Sequence, residues 1–264
     1  MIRKSLFFGL FFSVLASCGD DEGQAYVHPT KIMQVKQVFS NGSVDVKNFT
    51  FKFGSLNDCQ RITYDTNSTD NIIQNFIYNE QGVLEKAFAQ NNRVYYFWLE
   101  SGLVTKREEA GFPADLGEDV MARNIYIYNA DKQLTGIDFY VRQPTSVDLV
   151  LLQRYVYEYD GHGNIVKLNY INPGSPQNNS YTLYTHDDKV NPYHNFEPKV
   201  NISAYNPYNK NNILTQKTYR ASDPSTVLNE ITYSYQYDEG GYPTYSLTTS
   251  SGSSPLQTYF TYQH

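Results

Sequence analysis

Two groups of acidic and histidine side chains are the residues best suited to chemistry in this chain of 264 residues. The first group comprises Glu108 and Glu109 together with the acids of the segment Gly111 to Asp119, which include Asp115. A pair of carboxylates can cleave glycosidic bonds, and its two members can come from distant strands without leaving a local motif. An acidic loop in contact with solvent explains the same residues, so both interpretations stay open.

The second group is His186, Asp187 and Asp188, followed by His194. Imidazole and carboxylate groups bind zinc, but zinc sites need three or four converging donors, and these residues have no recognised ligand spacing. Asp and Asn also recur in the predicted turns. Calcium binding is one interpretation of these oxygens, and closure of the turn by the side chain is the simpler one. The sequence therefore predicts no metal and no cofactor.

The motifs of common catalytic folds are missing from the sequence. It contains no G-x-S-x-G, no H-E-x-x-H, no P-loop and no G-x-G-x-x-G after a strand. We therefore assign no catalytic residue and expect a function that is not enzymatic. The formal net charge of −6 also argues against nucleic acid as a partner, because binding to phosphates needs a basic surface.

The elements that must position these residues follow a repeated pattern, seen most clearly from Tyr157 to Ile165. Two aromatic residues at alternate positions precede an Asp or Asn, here called the anchor, and a turn and a new apolar strand follow. Because alternate residues share one strand face, the aromatic residues should point to one side. Three positions after an anchor a Gly or Asn suits a turn with positive φ, and Lys132 fits poorly there. The anchors are Asn79, Asn129, Asp160, Asp187, Asn209 and Asp238.

The anchors recur every 20 to 30 residues or so, which indicates repeats of two strands and two turns. We therefore expect one all-β domain over residues 31–264, an antiparallel up-and-down meander of roughly 15 to 17 strands that closes as a barrel or a curled sheet. Asn41-Gly42 predicts a hairpin turn near the start of this domain. A strand is also expected at Lys199 to Tyr205, and no amphipathic helix is predicted.

The first 17 residues have the features of a secretory signal, because Arg3 and Lys4 precede an apolar run that is too short to span a membrane comfortably. The following Leu15-Ala16-Ser17-Cys18 resembles the lipobox of bacterial lipoproteins, in which the cysteine becomes the lipidated first residue. An ordinary cleavage site with an incidental cysteine is the alternative. We expect a lipid anchor at Cys18, which would leave Cys59 without a disulfide partner.

Residues 18–30 then read as the lipidated cysteine and a flexible tether. Its acidic tract, Gly19 to Gly23, resembles the signal that sends lipoproteins of the Bacteroidetes type to the outer face of the outer membrane. A merely solvated tether explains the same residues. The expected location is the outer membrane, lipid-anchored, at the cell surface.

Tyrosine is the most conspicuous residue type, with 25 copies. Cross-strand packing explains the repeated tyrosines better than an exposed platform for sugar rings does. We therefore expect Tyr157→Ala to cost about 3 kcal/mol. A binding site needs residues outside the repeat, and two irregular segments supply them, Gly111 to Asp119 and Asp187 to Pro198. Tyr193 lies in the second segment, so Tyr193→Ala should leave the melting temperature nearly unchanged. The candidate binding residues are Phe112, Asp115, Tyr193, Phe196 and Glu197.

The form Tyr157-Glu158-Tyr159-Asp160, with looser copies at 126–129 and 235–238, resembles the YD repeats of Rhs-type proteins. Together with the lipobox and the segment 184–193, it is also similar to a family of Bacteroidetes outer-membrane lipoproteins that have a porin-like β-fold and a domain of unknown function. That resemblance covers roughly residues 30 to 262. It implies an antiparallel barrel or curled sheet, and it implies no activity.

Three classes of function are consistent with these features. A cell-surface or periplasm-facing binding module for a glycan or a protein is favoured, since a rigid β-scaffold with variable loops suits it. A structural component that associates with an outer-membrane partner is the alternative, and a glycan-active enzyme comes third. Arg154 and Glu158 share one face of a predicted strand, and Asp138 and Arg142 share one face of another. Such charges on the outer face would be costly against lipid. We therefore expect a β-body in water that is held at the membrane by its lipid.

Overall fold

The computed structural model describes residues 31–51, 59–65, 73–89, 93–111, 120–143, 148–194 and 209–263. Within these ranges the protein forms 16 strands and one short 3₁₀ turn at Pro176–Asn178. No described helix is long and apolar enough to cross a bilayer. The strands are β1 Lys31–Val38, β2 Val44–Phe51, β3 Cys59–Asp65, β4 Ile73–Tyr78, β5 Leu84–Ala89, β6 Arg93–Glu100, β7 Leu103–Gly111, β8 Val120–Tyr128, β9 Leu134–Arg142, β10 Leu149–Tyr159, β11 Ile165–Ile171, β12 Ser180–Val190, β13 Asn211–Arg220, β14 Asp223–Tyr237, β15 Pro243–Ser250 and β16 Ser253–Gln263.

Every strand pairs antiparallel with its neighbours in sequence, and β1 pairs with β16 to close the sheet into a barrel. The predicted all-β, up-and-down architecture is therefore confirmed, and the closed barrel is the form adopted. Closure gives the backbone N–H and C=O groups at the edge of β1 hydrogen-bonding partners, which an open sheet would leave unpaired. The sequence did not predict β3. The strand expected at 199–205, the leader 1–17 and the tether 18–30 lie outside the described residues.

Anchored turns connect the strands at one end of the barrel, here called the anchor rim. In the turn after β10, Asp160 Oδ1 accepts the backbone N–H groups of His162 at 2.9 Å and Asn164 at 2.8 Å. Asn79 and Asn129 bind the backbone in the same way, so the predicted Asx turns are confirmed at these positions. Lys132 takes the positive φ of 61° that glycine takes in the other anchored turns.

Asn209 departs from the repeat. The backbone N–H of Asn211, two residues later, donates to Asn164 at 2.9 Å instead of to Asn209. Asn209 itself is fully buried, and its Oδ1 accepts the backbone N–H of Ile165 at 2.7 Å. Its predicted role as a separate turn anchor is therefore wrong, because it joins the β12–β13 connection to β11.

The aromatic columns of the repeat face the barrel interior, as the alternation predicted. Phe76 and Tyr126 belong to the buried core, whereas Ile77 and Ile127, one position later, are 36% and 43% exposed. Apolar side chains of β1 to β9 fill this part of the interior. Their burial supplies the main driving force for folding. The buried members are Ile32, Val35, Phe49, Cys59, Ile62, Phe76, Leu84, Ala87, Phe97, Val104, Tyr126 and Leu134, and Tyr193, which follows β12, belongs to the same cluster.

Tyrosines near the ends of even-numbered strands also bind the preceding strand through their hydroxyl groups. Each O–H donates to a backbone carbonyl near the start of that strand, at the anchor rim. The recurrence of this bond gives the repeated tyrosine a structural role beyond packing. The pairs are Tyr78 to Cys59 at 2.7 Å, Tyr128 to Val104 at 2.9 Å, Tyr159 to Leu134 at 2.9 Å, Tyr235 to Ile213 at 3.0 Å and Tyr262 to Pro243 at 2.7 Å.

Candidate functional site

A half-enclosed cavity of about 230 Å³ lies inside the barrel, against strands β12 to β16 and β1. Here the inward positions carry tyrosine, glutamine, serine and threonine in place of the aliphatic residues found elsewhere in the interior. Among the described residues that line the cavity, none carries a charged side chain. The lining residues are Gln37, Tyr184, Asn191, Pro192, Tyr193, Asn211, Asn212, Ile213, Gln216, Tyr233, Tyr235, Ser246, Thr248, Thr258 and Phe260.

The cavity runs from the anchor rim toward the other end of the barrel, here called the far rim. At the anchor rim its lining begins with Asn191 to Tyr193, which follow β12. Toward the far rim it reaches Gln37 and Thr248, which lie one and two residues before β1 and β15 end. On β14, by contrast, the lining stops at Tyr233, well short of the far-rim end of that strand at Asp223, so the cavity lies nearer the anchor rim there.

Aromatic rings and hydroxyl groups alternate on the cavity wall. The rings of Tyr233 and Tyr235 are stacked, with centroids 6.4 Å apart and planes 15° apart. Gln216 Nε2 donates to the Tyr233 hydroxyl at 2.7 Å. Burial raises the pKa of Tyr184 to about 12 and also raises the pKa values of Tyr233 and Tyr235. These phenols therefore stay protonated at neutral pH, where they can both donate and accept hydrogen bonds.

Polar contacts hold the described parts of the β12–β13 connection at the anchor rim. Asp187 Oδ1 accepts the backbone N–H groups of Lys189 and Asn212, each at 3.0 Å, and Oδ2 accepts from Asn212 Nδ2 at 3.1 Å and from the Tyr237 hydroxyl. Asn191 Nδ2 donates to the Asn209 carbonyl at 2.8 Å. This network fixes the end of the cavity that is formed by Asn191 and Tyr193.

Tyr193 is the one predicted binding residue that the structure describes. It lines the cavity, and it is also part of the buried core, with 5% of its surface exposed. This burial contradicts the premise that Tyr193 is a free loop residue, so we now expect Tyr193→Ala to lower the melting temperature, because removing a buried ring creates a cavity. Phe112, Asp115, Phe196 and Glu197 lie outside the described residues.

The two irregular segments that were grouped as binding loops do not start from the same end of the barrel. Strand β7 ends at Gly111 and β8 begins at Val120, both at the far rim. Strand β12 ends at Val190 and β13 begins at Asn211, both at the anchor rim. This follows from the parity of an up-and-down barrel, in which successive connections alternate between the rims.

Three of the residues that suggested catalysis or metal binding, Glu108, Glu109 and Asp187, have structural partners. Glu108 accepts from Arg123 Nε at 2.7 Å on the outer face, and Glu109 pairs with Arg93 inside the barrel. Both oxygens of Asp187 are already occupied by the contacts described above. Among the described residues, no group of three or more His, Cys, Asp and Glu side chains comes together as a metal site.

Arg107 is an unusual residue in the other half of the interior. It is 6% exposed, and its guanidinium carbon lies 5.1 Å from the centroid of the Tyr95 ring. Within the described chain, neither Nε nor Nη1 has a hydrogen-bond acceptor. Buried N–H donors without acceptors are costly, so we expect this residue to lower the stability of the barrel.

Two solved structures have a barrel similar to this one. A porin-like protein from Bacteroides uniformis ATCC 8492 has a TM-score of 0.61 and 12% identity, and the match covers 89% of this chain and 98% of that chain. A porin-like protein from Bacteroides vulgatus ATCC 8482 has a TM-score of 0.56 and 10% identity, over 89% and 99% of the two chains. At such identities the likeness establishes the fold, so this chain has a porin-like β-barrel fold.

A chain of the Photorhabdus luminescens Tc holotoxin pore also aligns, with 14% identity over 85% of this chain and 9% of that chain. Its TM-score of 0.30 is too low to indicate a common fold. No protein-family model matches the sequence, and a search of curated proteins finds no match. The predicted porin-like β-fold is thus confirmed, whereas the lipid anchor and the relationship to YD-repeat proteins remain predictions.

Sequence reasoning missed most of the cavity wall. Gln216, Ser246 and Thr258 lie on strands without any motif, and they meet only because cross-strand register places them side by side, as with Ser246 opposite Thr258. A weak signal was present. The inward positions of β12 to β16 are more polar than those of β1 to β9, which indicates an interior that is not wholly apolar.

Proposed function

We propose that this protein is a lipid-anchored binding module of the bacterial cell envelope, whose β-barrel stands in water and binds a small molecule in its interior cavity. The observation that carries the proposal is the half-enclosed cavity with rings and hydrogen-bonding groups on its wall. Ligand sites are concave, include aromatic surface and place a few polar groups to orient the ligand. The apolar core on the other side of the barrel supplies the rigid scaffold.

The outer face of the barrel supports a body in water. Asp138 and Arg154 point away from the core and form a bidentate pair, with distances of 2.5 and 2.6 Å. Lys167 Nζ lies 2.9 Å from Glu158 Oε1 on the same face, and Lys217 lies 2.9 Å from Glu230 further round the barrel. Charges at the middle of a lipid-facing barrel surface cost about 2 to 4 kcal/mol for each Arg or Lys. These pairs therefore favour water over lipid around the strands.

The position of β1 supports an orientation. Lys31 starts at the anchor rim, so a tether from Cys18 would join the barrel at that end. A dozen residues reach at most about 40 Å, which would keep the anchor rim close to the membrane. The end of the cavity at Gln37 and Thr248 would then lie on the side away from the bilayer.

The alternative of an assembly component needs a contiguous apolar patch on the outer surface. The large exposed apolar residues include Ile77 on β4, Ile127 on β8, Leu183 on β12 and Tyr259 on β16, so they are distributed around the barrel. Ion pairs stand between them. The cavity is the more specific feature, and it favours binding of a small molecule.

A matched pair of substitutions tests the cavity without assuming the ligand. Thr248 lines the cavity, and its neighbour Thr249 bonds the outward-facing Thr232 hydroxyl at 2.6 Å. The full-length lipidated protein in detergent would be screened with a diverse fragment library by ligand-observed NMR. We expect Thr248→Phe to abolish the fragment signals that Thr249→Phe retains. Equal signals from both variants would show that the cavity is not the binding site.

A further inference from the structure

We propose that the ligand of the interior cavity is a neutral, hydroxylated six-membered ring, that is, a neutral sugar residue. This inference rests on the proposed function and adds the chemical class of the ligand. It is carried by three properties of the described wall: the absence of charge, the placement of hydroxyl and amide groups, and the stacked aromatic surface.

The absence of charged side chains on the described wall selects against charged ligands. A carboxylate or an ammonium group in this cavity would lose water without gaining a counter-charge, and such a loss is costly. Asp187, at the anchor rim, gives no compensation because its oxygens already accept from Lys189, Asn212 and Tyr237. A uronic acid or an amino sugar should therefore bind worse than the neutral sugar of the same shape.

The polar groups of the wall match a ligand with several hydroxyls. The hydrogen bond from Gln216 Nε2 to the Tyr233 oxygen leaves the Tyr233 O–H to donate elsewhere, and it leaves Gln216 Oε1 as an acceptor. On the adjoining strands, Ser246 and Thr258 are 4% and 6% exposed, and both line the cavity. Donors and acceptors thus stand on several sides of one small volume, as a polyhydroxylated ring requires.

The rings supply the surface for the apolar face of a sugar. The aromatic residues that line the cavity include Tyr184, Tyr233, Tyr235 and Phe260. The Tyr235 ring is stacked on those of both Tyr233 and Tyr237, so the rings of Tyr184, Tyr233 and Phe260 are left to contact a ligand. The face of an aromatic ring is negative, so it attracts the polarised C–H groups of a pyranose. In size, 230 Å³ exceeds the roughly 150 Å³ cavity that admits benzene, so one ring with its hydroxyls can enter.

The test uses the full-length lipidated protein in detergent with three neutral sugars, namely glucose, galactose and N-acetylglucosamine, and with glucuronate and glucosamine as charged counterparts. Saturation-transfer NMR and calorimetry would give the dissociation constants. We expect at least one neutral sugar to bind and its charged counterpart to bind at least about tenfold more weakly, a difference of about 1.4 kcal/mol. Tyr233→Phe should weaken the neutral sugar several-fold.

The matched control is Tyr219→Phe, because Tyr219 stacks on Tyr181 on the outer face with centroids 5.2 Å apart. It should leave sugar binding unchanged. Tighter binding of glucuronate or glucosamine, or the absence of signal from every neutral sugar, would overturn the assignment of the ligand class. If fragments still bind in a manner blocked by Thr248→Phe, the proposed function survives that outcome; if they do not, both proposals fail.

Discussion

The tyrosine that precedes an anchor has two structural tasks, as Tyr159 illustrates. Its ring packs inside the barrel, and its hydroxyl donates to the Leu134 carbonyl at 2.9 Å. Burial raises its pKa, which is consistent with a phenol that is held in the protonated form. The same bond recurs at Tyr78 and Tyr128, so one residue type joins each repeat to the strand before it.

Tyr159→Phe tests this second task alone, because it keeps the ring and removes the hydroxyl. We expect the free energy of unfolding to fall by about 1 kcal/mol, the usual net value of one hydrogen bond. Tyr219→Phe on the outer face is the control and should change stability by less than about 0.5 kcal/mol. Chemical denaturation followed by circular dichroism measures both. Equal effects would contradict a structural role for the hydroxyl.

Arg107 is a buried charged residue of the barrel interior with unpaired N–H groups. Its buried guanidinium lies against Tyr95, and its Nε and Nη1 have no acceptor in the described chain. We expect Arg107→Met to raise the free energy of unfolding by about 1 kcal/mol or more, because the substitution removes a buried charge and keeps much of the side-chain volume.

The control for Arg107→Met is Arg123→Met, which we expect to change the free energy of unfolding in the opposite direction. Arg123 donates to Glu108, whose side chain is 7% exposed, so Arg123→Met leaves a buried carboxylate without its closest cation. That variant should be less stable than the wild type. A loss of stability on Arg107→Met as large as that on Arg123→Met would mean that Arg107 contributes favourably through contacts such as that with Tyr95.

At the scale of the element, the anchored turn determines where one strand ends and the next begins. Its anchor oxygen closes the turn, and the residue three positions later adopts positive φ, 89° at Gly163 and 61° at Lys132. Glycine adopts this conformation without steric cost, whereas a residue with a Cβ is strained there. The turn of β8 and β9 is therefore less favourable than its glycine-containing equivalents.

Lys132→Gly should raise the free energy of unfolding by about 1 kcal/mol by removing that strain. The reverse change, Gly42→Ala, is the matched control, since Gly42 has φ of 82° and an added Cβ would meet no atom within 4 Å. It should lower stability by a similar amount through strain alone. Thermal denaturation of both variants gives the comparison, and a stability loss in Lys132→Gly would contradict the role assigned to the turn.

At the scale of the whole molecule, buried tyrosines couple the stability of the barrel to alkaline pH. Burial raises the pKa of Tyr184 to about 12 from its ordinary value of 10.0, and it also raises those of Tyr157 and Tyr262. A group whose pKa is higher in the folded state contributes stability below its unfolded pKa and loses it as the pH rises through the folded pKa.

We therefore expect stability to be insensitive to these groups below about pH 10 and to fall steeply between about pH 10 and 12. Tyrosinate absorbance near 295 nm and circular dichroism should change together, because ionisation of the buried phenols accompanies unfolding. Ionisation of nearly all tyrosines near pH 10 with the barrel intact would contradict their burial.

The predicted tether belongs to the same scale, since under the proposed function it would hold the barrel at the membrane. Cys18→Ala removes the predicted site of lipidation. We expect this variant to move from the membrane fraction to the soluble fraction and to fold without detergent, because ion pairs such as Arg154 with Asp138 cover the outer face. Fractionation followed by immunoblotting measures the shift. Retention of the processed variant in the membrane would contradict the lipid anchor.

The sequence by itself determined the elements of this protein. The pattern around Asp160 predicted antiparallel strands, inward-facing aromatic columns and side-chain-closed turns, because these depend on residues within one repeat. The up-and-down order of the strands followed as well, since short turns oblige successive strands to pair, but β3 was missed. The sequence also has the features of a secretory leader and of a lipidation site at Cys18, although both assignments remain predictions.

Only the tertiary structure decided what the interior contains. Closure pairs β1 with β16, the first and last described strands, and register across the four strands β13 to β16 brings Gln216, Tyr233, Ser246 and Thr258 around one cavity. No local pattern carries that information, because the cavity depends on which residues face one another across the barrel. For the same reason Tyr193 looked like a free loop residue in the sequence, although the chain after β12 turns inward and buries it against the core.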